Sequence, residues 1–168
     1  PRELYEQPVN LFVAGFIGSP PMNFMPATVR GDSIELPFVT VPLPAETARK
    51  VEGHDLLIAG VRPEHFEDAS LVSDTSRGVT FQATIDVIEW LGNEQYAYVP
   101  FETSPEVAAR LTELQRELEA ESSRTQLVVS LDAASRVGEG ERTQLFMNTA
   151  GMHLFDPATG ANLTQKKG

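Results

Sequence analysis

From Val79 to Leu91 the sequence alternates: Val79, Phe81, Ala83, Ile85 and Val87 occupy every second position and are expected to share one face of an extended strand. Gly92-Asn93 interrupts the run with residues that accept a left-handed turn, and Tyr96 to Phe101 follows, so the two stretches are expected to pair as a hairpin. A period of two cannot bury one stripe of a helix, so a chain with this motif at its centre is committed to a β core. The flanking segments agree. Phe24 to Val29, a Gly31-Asp32 turn and Ser33 to Val41 read as a second hairpin, with Pro37 and Pro42 at an edge or strand end because proline cannot donate to a ladder. Leu56, Ile58 and Val61, then Leu127 to Leu131, Thr143 to Met147 and Met152 to Phe155, complete a set of short strands separated by turn signals. That spacing predicts a small barrel or sandwich.

Two segments depart from the β rhythm. Asn10 to Gly18 carries Leu11, Phe12, Val13, Phe16 and Ile17 at helical spacing, with Asn10 as N-cap and Gly18 as terminator; Arg2 to Gln7 reads as one further turn stopped by Pro8. Ser104-Pro105-Glu106 supplies an N-cap, a proline at the first helical position and a carboxylate at the positive end of the dipole. Val107, Leu111, Leu114 and Leu118 then form one apolar stripe on a helix ending near Glu121. The plainer reading is a helix lying on the barrel; the alternative is a dimerisation or partner-docking helix.

With 168 residues the chain suits one ordinary domain or two small barrels sharing a core. A chain of that size buries roughly 70% of its unfolded surface and needs no covalent staple. It has no cysteine, which excludes disulfides and thiolate metal sites. Its net charge of −11 repels polyanions, so nucleic acid and anionic membrane surfaces are disfavoured as partners. No apolar run approaches the ~20 residues that span a bilayer. Pro1 to Gln7 does not resemble a signal peptide, and the chain opens without Met, so a fragment of a longer protein is expected.

Motifs for chemistry are mostly lacking. No Gly precedes a Lys, so no phosphate loop can be drawn, and neither G-x-S-x-G nor H-E-x-x-H occurs. His54, His65 and His153 are scattered. Arg30-Gly31-Asp32 reads as a hairpin turn, and Asp156-Pro157-Ala158-Thr159-Gly160 as a turn built from an Asx acceptor, a fixed φ and a glycine. Trp90, Tyr96, Tyr98 and Phe101 are either barrel core, the plainer reading, or a stacking platform for sugars or bases.

Four stretches in order resemble the end of the ATPase subunits of maltose- and glycerol-phosphate-type ABC importers. They are Glu3-Leu4-Tyr5 through Pro21-Met22-Asn23, Gly60-Val61-Arg62-Pro63-Glu64-His65, Val87-Ile88-Glu89-Trp90-Leu91-Gly92-Asn93-Glu94, and His153-Leu154-Phe155-Asp156 with Thr159-Gly160 and Leu163. The resemblance implies a mainly β fold of tandem OB-type (TOBE) barrels with an N-terminal helix and an inserted amphipathic helix. It places the end of a nucleotide-binding domain in residues 1–23, the regulatory domain in 24–168 and a helical insertion at 104–121. It implies a non-catalytic regulatory and dimerisation role in uptake of a sugar or glycerol phosphate, with no cofactor in this chain. ATP and Mg would belong to a nucleotide-binding domain that this chain lacks. Implied partners are a twin copy, through the regulatory domains, and the transmembrane importer subunits. No nucleic acid and no direct membrane insertion are expected, and the location is cytoplasmic, peripheral at the inner face of the membrane. The alternative is a small-ligand module for a sugar or oxyanion. Resemblance and helix stripe together single out Arg62, Glu64, Glu89, Trp90, Leu111, Leu114 and Leu118 as candidate regulatory or interface residues. Residue by residue, Gly60 and Gly92 are expected to allow tight backbone at strand ends, and Arg62 and Glu64 to pair locally or across a domain joint.

Overall fold

The computed structural model describes Arg2, Tyr5, Pro8, Asn10 and residues 20–114 and 125–165. The expected helix of residues 10–18 falls outside these apart from Asn10, which makes an isolated β-bridge with Ala161. The described residues form β1 (Asn23–Arg30), β2 (Ser33–Glu35), β3 (Thr40–Pro42), α1 (Ala45–Lys50), β4 (Leu56–Val61), β5 (Phe66–Asp68), β6 (Gly78–Thr84), β7 (Val87–Leu91), β8 (Glu94–Pro100), α2 (Pro105–Leu114), β9 (Gln126–Leu131), β10 (Arg142–Asn148) and β11 (His153–Phe155). Single 3-10 turns lie at Pro63–His65, Ala69–Leu71 and Thr149–Gly151.

These strands build a five-stranded sheet, β11-β4-β1-β2-β3, and two three-stranded sheets, β5-β10-β6 and β7-β8-β9. Each pairing is antiparallel. Strands far apart in sequence close the sheets: β11 returns to the edge of β4, and β10 lies between β5 and β6. One core runs through all three sheets, joining Met25, Leu57 and Ala59 to Phe66, Phe81 and Leu145 and to Ala97, Val99 and Val129. Phe38 bridges the halves, with its ring centroid 4.5 Å from Phe81 and 6.2 Å from Phe101. Such offset aromatic contacts add to the stabilisation from buried area itself.

Three expectations are corrected. The stretch Ser33 to Val41 is not one strand; it reverses between β2 and β3, where Leu36 N donates to Val39 O at 2.9 Å, and Pro37 sits in that reversal. The run Val79 to Leu91 breaks at Ile85. Ile85 exchanges hydrogen bonds with Glu141 O and Gly140 N, and Asp86 N turns to Tyr98 O, so the chain leaves β10 for β8. Phe81, Ala83 and Ile85 stay buried, whereas Val87 is 42% exposed. Gly60 lies inside β4, and its role is space: an added Cβ would fall 2.4 Å from Met22 Sδ and 2.9 Å from Phe155 Cε2. Gly92 does serve its hairpin turn, at φ +66°.

The inserted helix is described as far as Leu114. Ser104 Oγ accepts from Val107 N at 3.3 Å, the capping contact its sequence predicts. Val107 and Leu111 pack on Met22, Leu56, Ile58 and Phe155, so this part of the helix lies on its own barrel.

Candidate functional site

Strand β4 is buried along its whole length and ends in Arg62-Pro63-Glu64-His65. Pro63 opens the 3-10 turn with Arg62 extended before it, as the steric demand of a following proline requires. This throws the Arg62 side chain inward, where it is only 3% exposed. Its guanidinium carbon lies 3.9 Å from the ring centroid of Tyr5, and Nη2 donates to Tyr5 O at 3.2 Å. The Tyr5 hydroxyl in turn donates to Glu64 Oε2. The link between Arg62 and Glu64 thus runs through an aromatic ring from the N-terminal arm. Burial lowers the Arg62 pKa, opposed by Tyr5 and Glu64. Burial, with the Glu64 hydrogen bond and charge, pushes Tyr5 up to about 12. Burial also depresses His65, aided by Arg62 and opposed by Glu64. A cation over an aromatic face in a desolvated site is worth about 2 kcal/mol, and an uncompensated one is costly. The arm ring, with Glu64, therefore helps to make a buried Arg62 tolerable.

Two further contacts pin the arm. Asn162 Nδ2 donates to Pro8 O at 2.6 Å and lies 3.2 Å from His153 Nδ1, while its Oδ1 accepts from Thr164 N and Oγ1. The third contact is the bridge from Asn10 to Ala161. Behind the joint, Asn23 Nδ2 donates to Val61 O and Val128 O, and Oδ1 accepts from Val128 N at 2.7 Å. The end of β4 is thereby tied to β9 in another sheet.

The predicted site residues do not form one cluster. Arg62 and Glu64 meet at the arm joint. Glu89 and Trp90 lie on β7, Trp90 at 58% exposure. Leu111 is buried under α2, Leu114 is 39% exposed, and Leu118 lies outside the described residues. Of the four aromatics read as core, only Phe101 is buried; Tyr96 and Tyr98 are half-buried, and the inward positions of β8 belong to Gln95, Ala97 and Val99. Tyr96 joins the arm site electrostatically: its hydroxyl donates to Glu94 at 2.6 Å, and this bond, burial and the charges of Glu94 and Glu64 raise it to about 12. Asn23 and Asn162 are not among the predicted site residues, because their partners at Val61, Val128 and Pro8 lie in remote segments that no local pattern reveals. A cleft of about 500 Å³ beside β10 is lined by Asp68, Ser70, Leu71, Arg136 and Glu141 among others. Asp68 there is tied to Ser135 Oγ and Ser70, and among the described residues of the lining Arg136 is the one cation. Among the described residues no group of three His, Asp or Glu side chains is placed to hold a metal, and no helix is long and apolar enough to cross a membrane.

Residues 18–66 match the MalK OB fold domain and residues 59–137 the TOBE domain. The chain belongs to the MalK-type OB and TOBE family. This is the family of the C-terminal regulatory domain of sugar-importer ATP-binding subunits, and the mainly β fold is its tandem OB-type arrangement. The trehalose import ATP-binding protein SugC of Mycobacterium tuberculosis is 42% identical over 98% of this chain and 43% of its own length. The sn-glycerol-3-phosphate import ATP-binding protein UgpC of Cereibacter sphaeroides is 33% identical over 97% of this chain and 38% of its own. The multiple sugar-binding transport ATP-binding protein MsmK of Streptococcus mutans is 31% identical over 96% and 38%. The chain thus spans less than half the length of these relatives. A solved structure of the cytoplasmic molybdate-binding protein ModG covers 79% of this chain and 94% of its own, with a TM-score of 0.48 at 15% identity.

Proposed function

We propose that this chain is the regulatory and dimerisation part of an ATP-binding subunit that drives import of a sugar or glycerol phosphate. ATP, bound with its Mg, is hydrolysed in a nucleotide-binding domain outside the chain, and the chain itself is not catalytic. In this reading residues 1–23 form the join, 24–168 the regulatory unit, and the subunit works peripherally at the inner face of the membrane with transmembrane partners. The observation that carries the reading is the arm joint: Tyr5 stacked on buried Arg62, Pro8 held by Asn162, and Asn23 tying β4 to β9. Movement of an upstream domain would pull on Tyr5 and be delivered through Arg62 into the barrel. A constant contact between two such barrels keeps the motor halves at high effective concentration while they open and close.

The test has two arms. Sedimentation of this chain at high micromolar concentration is expected to show a dimer; a strict monomer overturns the dimerisation role. In the full-length subunit assembled with its membrane partners, Tyr5→Phe and Arg62→Ala are expected to leave nucleotide binding intact and to cut substrate-stimulated ATP hydrolysis severalfold. Unchanged stimulation in both variants overturns the coupling role.

A further inference from the structure

Exposed apolar surface is concentrated on one strand. Among the described residues five large hydrophobic side chains are exposed, and Val87 (42%), Trp90 (58%) and Leu91 (52%) all lie on β7. β7 is the outer strand of its sheet. Loop residues Gly140 and Glu139 bond to Ile85 O and Ile88 N, which, among the described residues, leaves the Glu89–Leu91 end of the strand without such cover. The tip is rigid. Gly92 at φ +66° permits the tight turn, and Gln95, 2% exposed, roots the hairpin by donating to Asp132 O at 3.1 Å and Ser135 O at 2.9 Å. Trp90 stands opposite Gln95 in the ladder yet remains largely exposed, so it projects past the end of the packed core. With only two side-chain torsions, a tryptophan loses little entropy on docking, which suits it to anchor a contact.

Charge selects the occupant. Asp86, Glu89 and Glu94 are exposed around these apolar side chains, and no Lys or Arg occurs between Arg77 and Arg110. A second copy would set carboxylates against carboxylates on top of a net −11 for each chain. Nucleic acid or an anionic lipid surface meets the same repulsion.

We infer that the β7–β8 hairpin is a docking prong for another protein whose surface carries an apolar pocket rimmed by lysine or arginine. Trp90 enters the pocket, Leu91 on the opposite face of the strand meets its wall, and Glu89 and Glu94 pair with its rim. The inference is independent of the transport reading, so either can fail alone.

Trp90 is the single tryptophan of the chain, so its emission reports on the hairpin directly. The probe is a synthetic helical peptide with a leucine stripe flanked by lysines, compared with its glutamate-flanked counterpart. The lysine peptide is expected to move Trp90 emission saturably to shorter wavelength, and the glutamate peptide to leave it unmoved. Glu89→Lys/Glu94→Lys is expected to weaken the lysine peptide about tenfold or more, whereas Glu52→Lys/Glu113→Lys, with the same charge change elsewhere, stays within about twofold. No shift, equal shifts with both peptides, or equal weakening by both double variants overturns the proposal. So does a concentration-dependent shift without peptide, which would make the occupant a second copy.

Discussion

Gly151 closes directly on the His65 ring: an added Cβ would lie 1.7 Å from Nδ1 and 1.8 Å from Cε1. That approach helps strip water from the imidazole, whose Nδ1 has no hydrogen-bond partner among the described residues, and burial holds its pKa below the ordinary 6.5. Of its charged neighbours, Arg62 lowers the pKa further and Glu64 opposes the shift. In the window between the depressed folded value and 6.5 the unfolded chain binds the proton more readily, so stability rises with pH there. His65 therefore contributes stability that is complete above 6.5 and is lost as pH falls through its folded pKa. Thermal midpoints measured from pH 7 to pH 5 are expected to fall, and His65→Gln to flatten part of that slope; an unchanged slope in the variant removes His65 from the account. None of this was legible in the sequence, where His65 reads as one of three scattered histidines. Arg62 and Glu64 were legible as a pair, but Tyr5 as the ring between them was not, because a contact spanning that many residues leaves no periodic trace.

Helix α2 shows how an insertion is tolerated on a finished sheet. Its cap, Ser104, and its buried face, Val107 and Leu111, are written locally, and the chain places both as the spacing predicts. The exposed pair Arg110–Asp55, 2.6 Å apart, contributes at most a few tenths of a kcal/mol, so apolar burial holds the helix down. Leu111→Ala is expected to cost about 2 kcal/mol in urea denaturation, near the low end for a buried leucine because the helix can settle. A loss under about 0.5 kcal/mol would mean the helix does not depend on that contact. The β7–β8 hairpin was equally legible, since alternation and Gly92-Asn93 are local signals. Which face of β8 points inward was not. Tyr96 and Tyr98 looked like core by size, but Gln95 takes the interior because remote carbonyls at Asp132 and Ser135 satisfy its amide. The break at Ile85 was not legible for the same reason: its cause is the loop at Gly140 and Glu141.

Across the whole molecule the excess of negative charge opposes any self-association, so the proposed dimer must rest on short-range contacts. Raising salt from about 0.05 M to about 0.5 M shortens the screening length several-fold and is expected to tighten the dimer in sedimentation experiments. Weakening with salt would instead point to attractive charge pairs across the contact. The tandem OB-type arrangement was legible only through the family resemblance, whereas a small β barrel or sandwich was plain from alternation and the turn residues between short strands. The interleaving of the sheets was not, since pairing of distant strands has no local signature. That interleaving bears on how the protein is made. The edge of β4 receives β11, and Asn162, the residue that grips Pro8, lies further on still. On the ribosome, the earliest sheet must wait with an open flank until the closing residues clear the exit tunnel. A transcript truncated before His153 would release a product unable to seal that flank, a substrate for quality-control proteases in place of a usable subunit.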